Sequence, residues 1–253
     1  MPVSQIADVI TSLDEIIQQC RSSQNRMGYF AALYKRMTMA VRDSIMQHAF
    51  EDGERMNRLD VVFAQRYFDA FDAYNSGNPC SKSWKFAFDC SKENDLIVIQ
   101  HLLLGVNTHI NLDLAIASAI VAPGEAINSL SSDFNKINAV IASQIDDVQE
   151  ALSQVWLPLR LLGKIANGSE KAVLNFSIDK ARETSWSNAL LLSGMDKGQQ
   201  DFYIQQMDEV VYKLAQGIQS PGFLAEMLVK TIHATEYDDI SRTINLIDTT
   251  IVE

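Results

Sequence analysis

An all-α fold is the class this sequence predicts: a single domain over 1–253 with about eight to ten helices around a buried central helix at about 93–121. Apolar residues recur at spacings of three and four through most of the chain, and the few Gly and Pro residues fall mainly between such blocks. One long apolar run lies mid-chain. No linker-like break interrupts the pattern, and 253 residues are enough to bury a sizeable core.

The elements follow in order. In "SQIADVITSLDEIIQQC" the residues Ile6, Val9, Ile10, Leu13, Ile16 and Ile17 make one apolar face, and this helix ends before "RSSQN". A second helix is expected from about Met27 to about His48. The third starts at "FEDGE", whose acidic residues suit a helix N-terminus, keeps helical periodicity through Tyr74, and stops at Ser76, Gly77, Asn78 and Pro79. From Cys80 to Cys90 the pattern is irregular and aromatic, with Trp84, Phe86 and Phe88, and reads as a loop packed onto the core. Ser91 is then placed to cap the central helix. A buried strand at "LIVI", 96–99, competes there, but the length of the apolar run favours helix. After Pro123 and Gly124, helices are expected at about 125–129, 133–155 and 157–165, then one from a Ser169 cap to 193. "SGMDKGQQ" breaks the pattern, with Asp196 and Gln199 spaced as a capping box, and Ser220 with Pro221 opens a last helix.

Composition excludes several classes. With 47% hydrophobic and 21% charged residues the chain is a globular protein and not a disordered one. The 32 acidic against 21 basic residues leave a net charge of −11, which repels phosphate backbones and anionic bilayers, so no nucleic acid and no membrane is expected as partner. Cys20, Cys80 and Cys90 form no close pair and read as free thiols. The N-terminus carries acidic residues where a secretory signal has a basic start, which predicts a cytoplasmic protein. P-loop, GxSxG and dinucleotide-binding signatures do not occur.

The candidate site lies in "QHLLLGVNTHINLDLAIASAIVA", almost wholly apolar yet carrying His101, Asn107, His109, Asn111 and Asp113. Burying such groups costs a few kcal/mol each unless something pairs with them. On a helix, His101, Gly105, His109 and Asp113 share one stripe, while Asn107 and Asn111 fall on another side. His109 and Asp113, four apart, are placed to ligate one metal, to bridge a pair, or to hydrogen-bond to each other. His101 lies two turns away, about 12 Å along the axis, and suits a second ligand or a general acid/base. Gly105 leaves a notch for a ligand or another helix. Around this helix, Asp60 is a source of a further carboxylate, Arg182 of a bidentate anion contact, and Tyr67, Asn107, Asn111 and Trp186 of pocket walls. Solvated charge is the common state for Asp60, Arg66 and Asp69, and an Arg packed on Trp the common state for Arg182. His48, and the pair His233 and Glu236, are weaker ligand candidates near helix ends.

"LGVNTHINLD", Leu104 to Asp113, resembles the LG-x3-H-x3-D segment of the zinc-dependent phospholipase C and S1-P1 nuclease group, which implies zinc ligands at His109 and Asp113. The similarity spans about ten residues. The downstream His residues and the N-terminal Trp of that group have no counterpart here, so its full trinuclear site is not implied. Over more of the chain, "MTMAVRDSI", "FEDGERMNRLDVVFAQRYFDA" and "HLLLGVNTHINLDLAIA" are similar to uncharacterised helical bacterial proteins known only as a domain of unknown function. That likeness implies a helical fold and no particular reaction.

Two functional readings come from the sequence. The first is a metal-dependent hydrolase, with a phosphoester as candidate substrate, in which His109 and Asp113 hold zinc, manganese or iron and His101, Asp60 and Arg182 do chemistry on the substrate. The alternative is a metal-free helical protein whose polar stripe binds a small molecule or only fixes packing. Both leave the oligomeric state open.

Overall fold

Nine helices and no strand make up the described residues of the computed structural model, which are 3–155, 178–222, 229–230, 233 and 239–249. In chain order they are α1 (Ile6–Ser22), α2 (Met27–Met46), α3 (Gly53–Asn75), α4 (Lys82–Cys90), α5 (Val98–Val121), α6 (Ile127–Val155), α7 (Ile178–Ser193), α8 (Lys197–Gln219) and α9 (Ile240–Asp248). The apolar face read from the first segment is the buried one, with Val9, Leu13, Ile16 and Ile17 fully enclosed. Asp52 caps α3 by accepting from the Arg55 N–H, and Asp196 and Gln199 form the expected reciprocal box at the start of α8.

α5 is the axis of the bundle. It packs against α2 and α3, against α4 and α8, and along its C-terminal half against α7. Its length and apolarity would suffice to cross a bilayer, and 89% of its most apolar window is buried inside the protein, as befits a core helix. Inside it, His109–Asp113 forms one π turn, closed by the Leu114 N–H donating to the His109 carbonyl. Such a turn inserts one residue into the helix, and π turns of this kind occur often at functional sites.

Four sequence expectations are corrected. The segment 80–90 is largely helix α4. Ser81 Oγ accepts from the Trp84 N–H, and Asp208, 125 or more residues away on α8, accepts from the Lys82 and Ser83 N–H groups. A nine-residue helix held by a partner so distant in sequence shows little periodicity of its own. Ser91 ends α4 instead of starting α5, since its hydroxyl donates to the Phe88 carbonyl at 2.7 Å. The central helix therefore begins at Val98 and not at 93, with Gln100 Oε1 accepting from the Ile97 N–H. Downstream, 125–129 and 133–155 are one helix, α6, entered through a short 3-10 turn at Gly124–Ala126. The expected helix at 157–165, the Ser169 cap and the start of its helix, residues 223–228 and Glu236 lie outside the described residues.

Two close approaches fix the packing. A Cβ on Gly28 would fall 2.6 Å from Ile244 Cδ1 and 2.8 Å from Cys20 Cβ, so α2 seats α1 and α9 there. A Cβ on Gly105 would fall 2.5 Å from two ring carbons of Phe30, so the notch anticipated in the sequence is filled by α2. Elsewhere a buried carboxylate acts as a clamp: Asp133 on α6 accepts from the Glu51 and Asp52 N–H groups at 2.8 and 3.0 Å and from Arg55 Nη2 at 2.9 Å, holding the start of α3.

Gly105→Ala should therefore destabilise by about 1–3 kcal/mol through overpacking. Gly217→Ala, whose Cβ meets nothing within 4 Å, should stabilise by up to about 1 kcal/mol from helix propensity. Denaturant titration of both variants checks the pair; a neutral Gly105→Ala would mean that α2 and α5 are not in close contact there.

Candidate functional site

The Asp113 carboxylate is 1% exposed and sits where three helices meet. Arg66 Nε from α3 donates to Oδ1 at 2.9 Å, and the Trp84 indole N–H from α4 donates to Oδ2 at 2.8 Å. His109 Nδ1, one π turn back on α5, lies 3.2 Å from the same Oδ2. Burial would raise the Asp113 pKa, but the Arg66 charge and then the His109 and Trp84 contacts hold it below the ordinary carboxylate range. An ionised carboxylate only accepts, so His109 carries its proton on Nδ1. Burial lowers the His109 pKa despite Asp113, so the ring is a neutral imidazole whose Nε2 is an acceptor.

Aromatic rings enclose that imidazole. Phe63 stacks on it with centroids 3.6 Å apart and planes 11° apart, and Tyr34 meets it edge-on at 4.4 Å. Phe30, held by the Gly105 contact, approaches at 5.6 Å. His109 also lines a mainly apolar cavity of about 120 Å³ bounded by α2, α3, α5, α6 and α7. Its polar residues are Tyr34, Thr38, Asp60, His109 and Arg182. Among the described residues, Asp60 Oδ2 and His109 Nε2 are buried without a hydrogen-bond partner, and the Tyr34 and Thr38 hydroxyls have only each other.

Asp60 is buried, not solvated, because its face of α3 turns inward beside Leu59 and Ala64. Loss of solvent raises its carboxyl to about 7. Arg182 is 3% exposed; its Nε donates to Asn138 Oδ1, its Nη2 donates to the Phe134 carbonyl at 2.6 Å, and its guanidinium lies 4.4 Å over the Phe134 ring. Trp186 packs on Phe134 with ring centroids 4.8 Å apart and does not line the cavity.

The remaining sequence candidates lie elsewhere. His101 opens on a separate space of about 20 Å³ beside Tyr67, Trp84 and Gly105, room for about one water. Burial pushes its pKa down to about 3, so it is neutral. Phe30 is a wall common to both spaces. Asn107 Nδ2 donates to the Val211 carbonyl at 3.0 Å, and Asn111 Nδ2 donates to Asn107 Oδ1 at 3.1 Å, so both face α8. Tyr67 packs its ring on Phe30 and Trp84 at 5.2 Å each. His233 Nε2 contacts the Asn94 carbonyl at 2.6 Å, and His48 is exposed beyond the end of α2. Arg66, read from the sequence as solvated charge, is one of the Asp113 donors, and Trp84, Tyr34, Thr38 and Phe63 are further residues of the site that the sequence reading did not assign to it.

This arrangement does not fit a metal held by His109 and Asp113. Asp113 is already engaged by three donors and His109 by Asp113, and no group of three or more His, Cys, Asp or Glu placed to hold an ion occurs among the described residues. Of the three uses the spacing allowed, the mutual hydrogen bond is the one formed.

Removing the Asp113 charge leaves Arg66, Trp84 and His109 facing a weak acceptor, and Asp113→Asn should cost about 3–5 kcal/mol, read by denaturant titration. A loss below about 1 kcal/mol would mean the cluster holds little together. For Asp60 the folded pKa of about 7 lies above the unfolded value of about 3.9. The protonated carboxyl thus favours the fold fully below pH 4, and that contribution is lost as pH rises through about 7. Asp60→Asn does not titrate, so its stability relative to the wild type should improve by about 2–3 kcal/mol from pH 5 to pH 8. A difference that is flat with pH would place Asp60 in contact with solvent.

No curated protein and no solved structure matches the chain. Residues 6–221 match DUF5995, a family of unknown function, and since that span takes in α1 through α8, the Asp113 cluster and the residues that wall the cavity, the chain belongs to this family.

Proposed function

We propose that the protein binds a small, mostly apolar molecule in the cavity between α2, α3, α5, α6 and α7. The observation that carries this reading is the grouping of Asp60 Oδ2 and His109 Nε2, buried without partners, with the Tyr34 and Thr38 hydroxyls, which have only each other, on residues that wall one apolar space. Unsatisfied buried groups are rare and costly, and several around one cavity are the usual mark of a ligand's polar end. The chemistry they offer is mixed. His109 Nε2 accepts, the Tyr34 and Thr38 hydroxyls donate or accept, and Asp60 donates when protonated. A ligand with one hydroxyl or carbonyl on a compact apolar body satisfies them best. A volume of about 120 Å³ is close to the ~150 Å³ known to accept benzene, so that body is no larger than about one ring.

The hydrolase reading is not carried forward, because it needs His109 and Asp113 as metal ligands and both are committed to each other and to Arg66 and Trp84.

Titration with phenol, followed by calorimetry and by shifts of methyl resonances in the core, tests the reading. Saturable one-site binding is expected in the wild type, and Val106→Phe, which adds bulk to the cavity wall, should abolish it while the protein stays helical. Absence of saturable binding by phenol and by other compact one-ring probes, or binding undiminished in Val106→Phe, would defeat the proposal.

A further inference from the structure

Arg182 is the one permanently charged group among the described residues that wall the cavity. It is 3% exposed and forms no ion pair within 4 Å among the described residues; the exposed Asp179, one turn back on α7, supports its charge only from a distance. Burial lowers its pKa only to about 10, so it remains a cation at neutral pH. Two of its nitrogens are used: Nε on Asn138 Oδ1 and Nη2 on the Phe134 carbonyl. Nη1 makes no hydrogen bond within the described residues, although it is not among the buried unpaired atoms. A neutral amide and a carbonyl orient a guanidinium without cancelling its charge. An enclosed cation of this kind is normally paired, because a buried unpaired ion is costly and the planar fork matches a carboxylate.

Resting on the cavity-binding reading above, we infer that the ligand is a small monocarboxylic acid whose carboxylate docks on Arg182 and whose apolar body spans the cavity, with its hydroxyl or carbonyl turned toward His109 Nε2 and the Tyr34 and Thr38 hydroxyls. Asn138 and Phe134 fix the guanidinium in advance, so little side-chain freedom is lost on binding. The Phe134 ring under the guanidinium covers the face of the fork and leaves its edge for the anion. Asp60, the other ionisable acid on the cavity wall, is disfavoured as an anion by its burial, and in its protonated form it does not repel a carboxylate.

Benzoate and benzamide share a shape and differ in charge, and titration of each into the full chain at pH 6.5 tests the inference. Wild type should bind benzoate at least tenfold more tightly than benzamide. Arg182→Met should bring the two to similar affinity, and Arg182→Lys, which keeps the charge but loses the fork and the Asn138 contact, should leave a preference of only a few-fold. Circular dichroism verifies the fold of each variant, and if Arg182→Met does not fold, the wild-type ratio and Arg182→Lys decide alone. Equal affinity for both probes in the wild type overturns the inference and leaves the cavity reading standing. A benzoate preference unchanged in Arg182→Lys and Arg182→Met also overturns it, by placing the anion elsewhere. If benzoate, benzamide and phenol all fail to bind, the cavity reading itself fails.

Discussion

The carboxylate of Asp113 is the constraint on which the middle of the protein depends. It is enclosed by the bundle and ionised, a state that costs several kcal/mol of solvation unless donors surround it. Those donors come from three helices: Arg66 on α3, Trp84 on α4 and His109 on α5 itself. Satisfying one group thus fixes the mutual positions of three elements. It also uses the four-residue spacing of His109 and Asp113, which sets the two side chains side by side within the π turn at His109–Asp113.

A second constraint works from the opposite side. Gly105 lets α2 come so close that the Phe30 ring occupies the space of a missing side chain. Phe30 then stands between the His101 space and the His109 cavity, and with Phe63 and Tyr34 it closes the aromatic walls around the imidazole. The geometry of the ring is therefore set twice, by a charge held through Nδ1 and by rings packed on its faces and edges. Neither alone would leave Nε2 fixed beside an apolar cavity.

Much of the helical scaffold was legible because helices announce themselves locally: the spacing of Ile6, Val9, Leu13 and Ile16, or the box of Asp196 and Gln199, lies within a few residues of sequence. α4 escaped because its start is held by Asp208 on a distant helix, and Ser91 was misassigned because its hydroxyl bonds backward to Phe88. The polar stripe marked the right segment, yet not its division between two cavities, since Phe30 is invisible from α5 alone. Asp60 was the hardest to judge. A carboxylate on a charged helix is solvated by default, and only the tertiary placement of α3 between α2 and α5 turns it inward.

The polar residues of α5 can be separated by how they are satisfied, and that separation bears on function more than their number does. Gln100 Nε2 donates to the carbonyls of Ile218 and Gln219, and Asn107 and Asn111 form a relay that ends on the Val211 carbonyl. These three have found partners in α8, and their presence is explained by joining two helices. Asp113 is likewise explained, by its three donors. His109 is explained only in part, because one nitrogen is spoken for and the other is not. Asp60 Oδ2, which has no partner, and the Tyr34 and Thr38 hydroxyls, which have only each other, reach the same cavity from two other helices. Packing alone would favour apolar side chains at all three positions, since an unpaired buried hydroxyl or carboxyl destabilises the fold while an apolar group of the same size does not. A polar end on a bound molecule accounts for the three residues and for the free nitrogen of His109 together, which no partner within the bundle does.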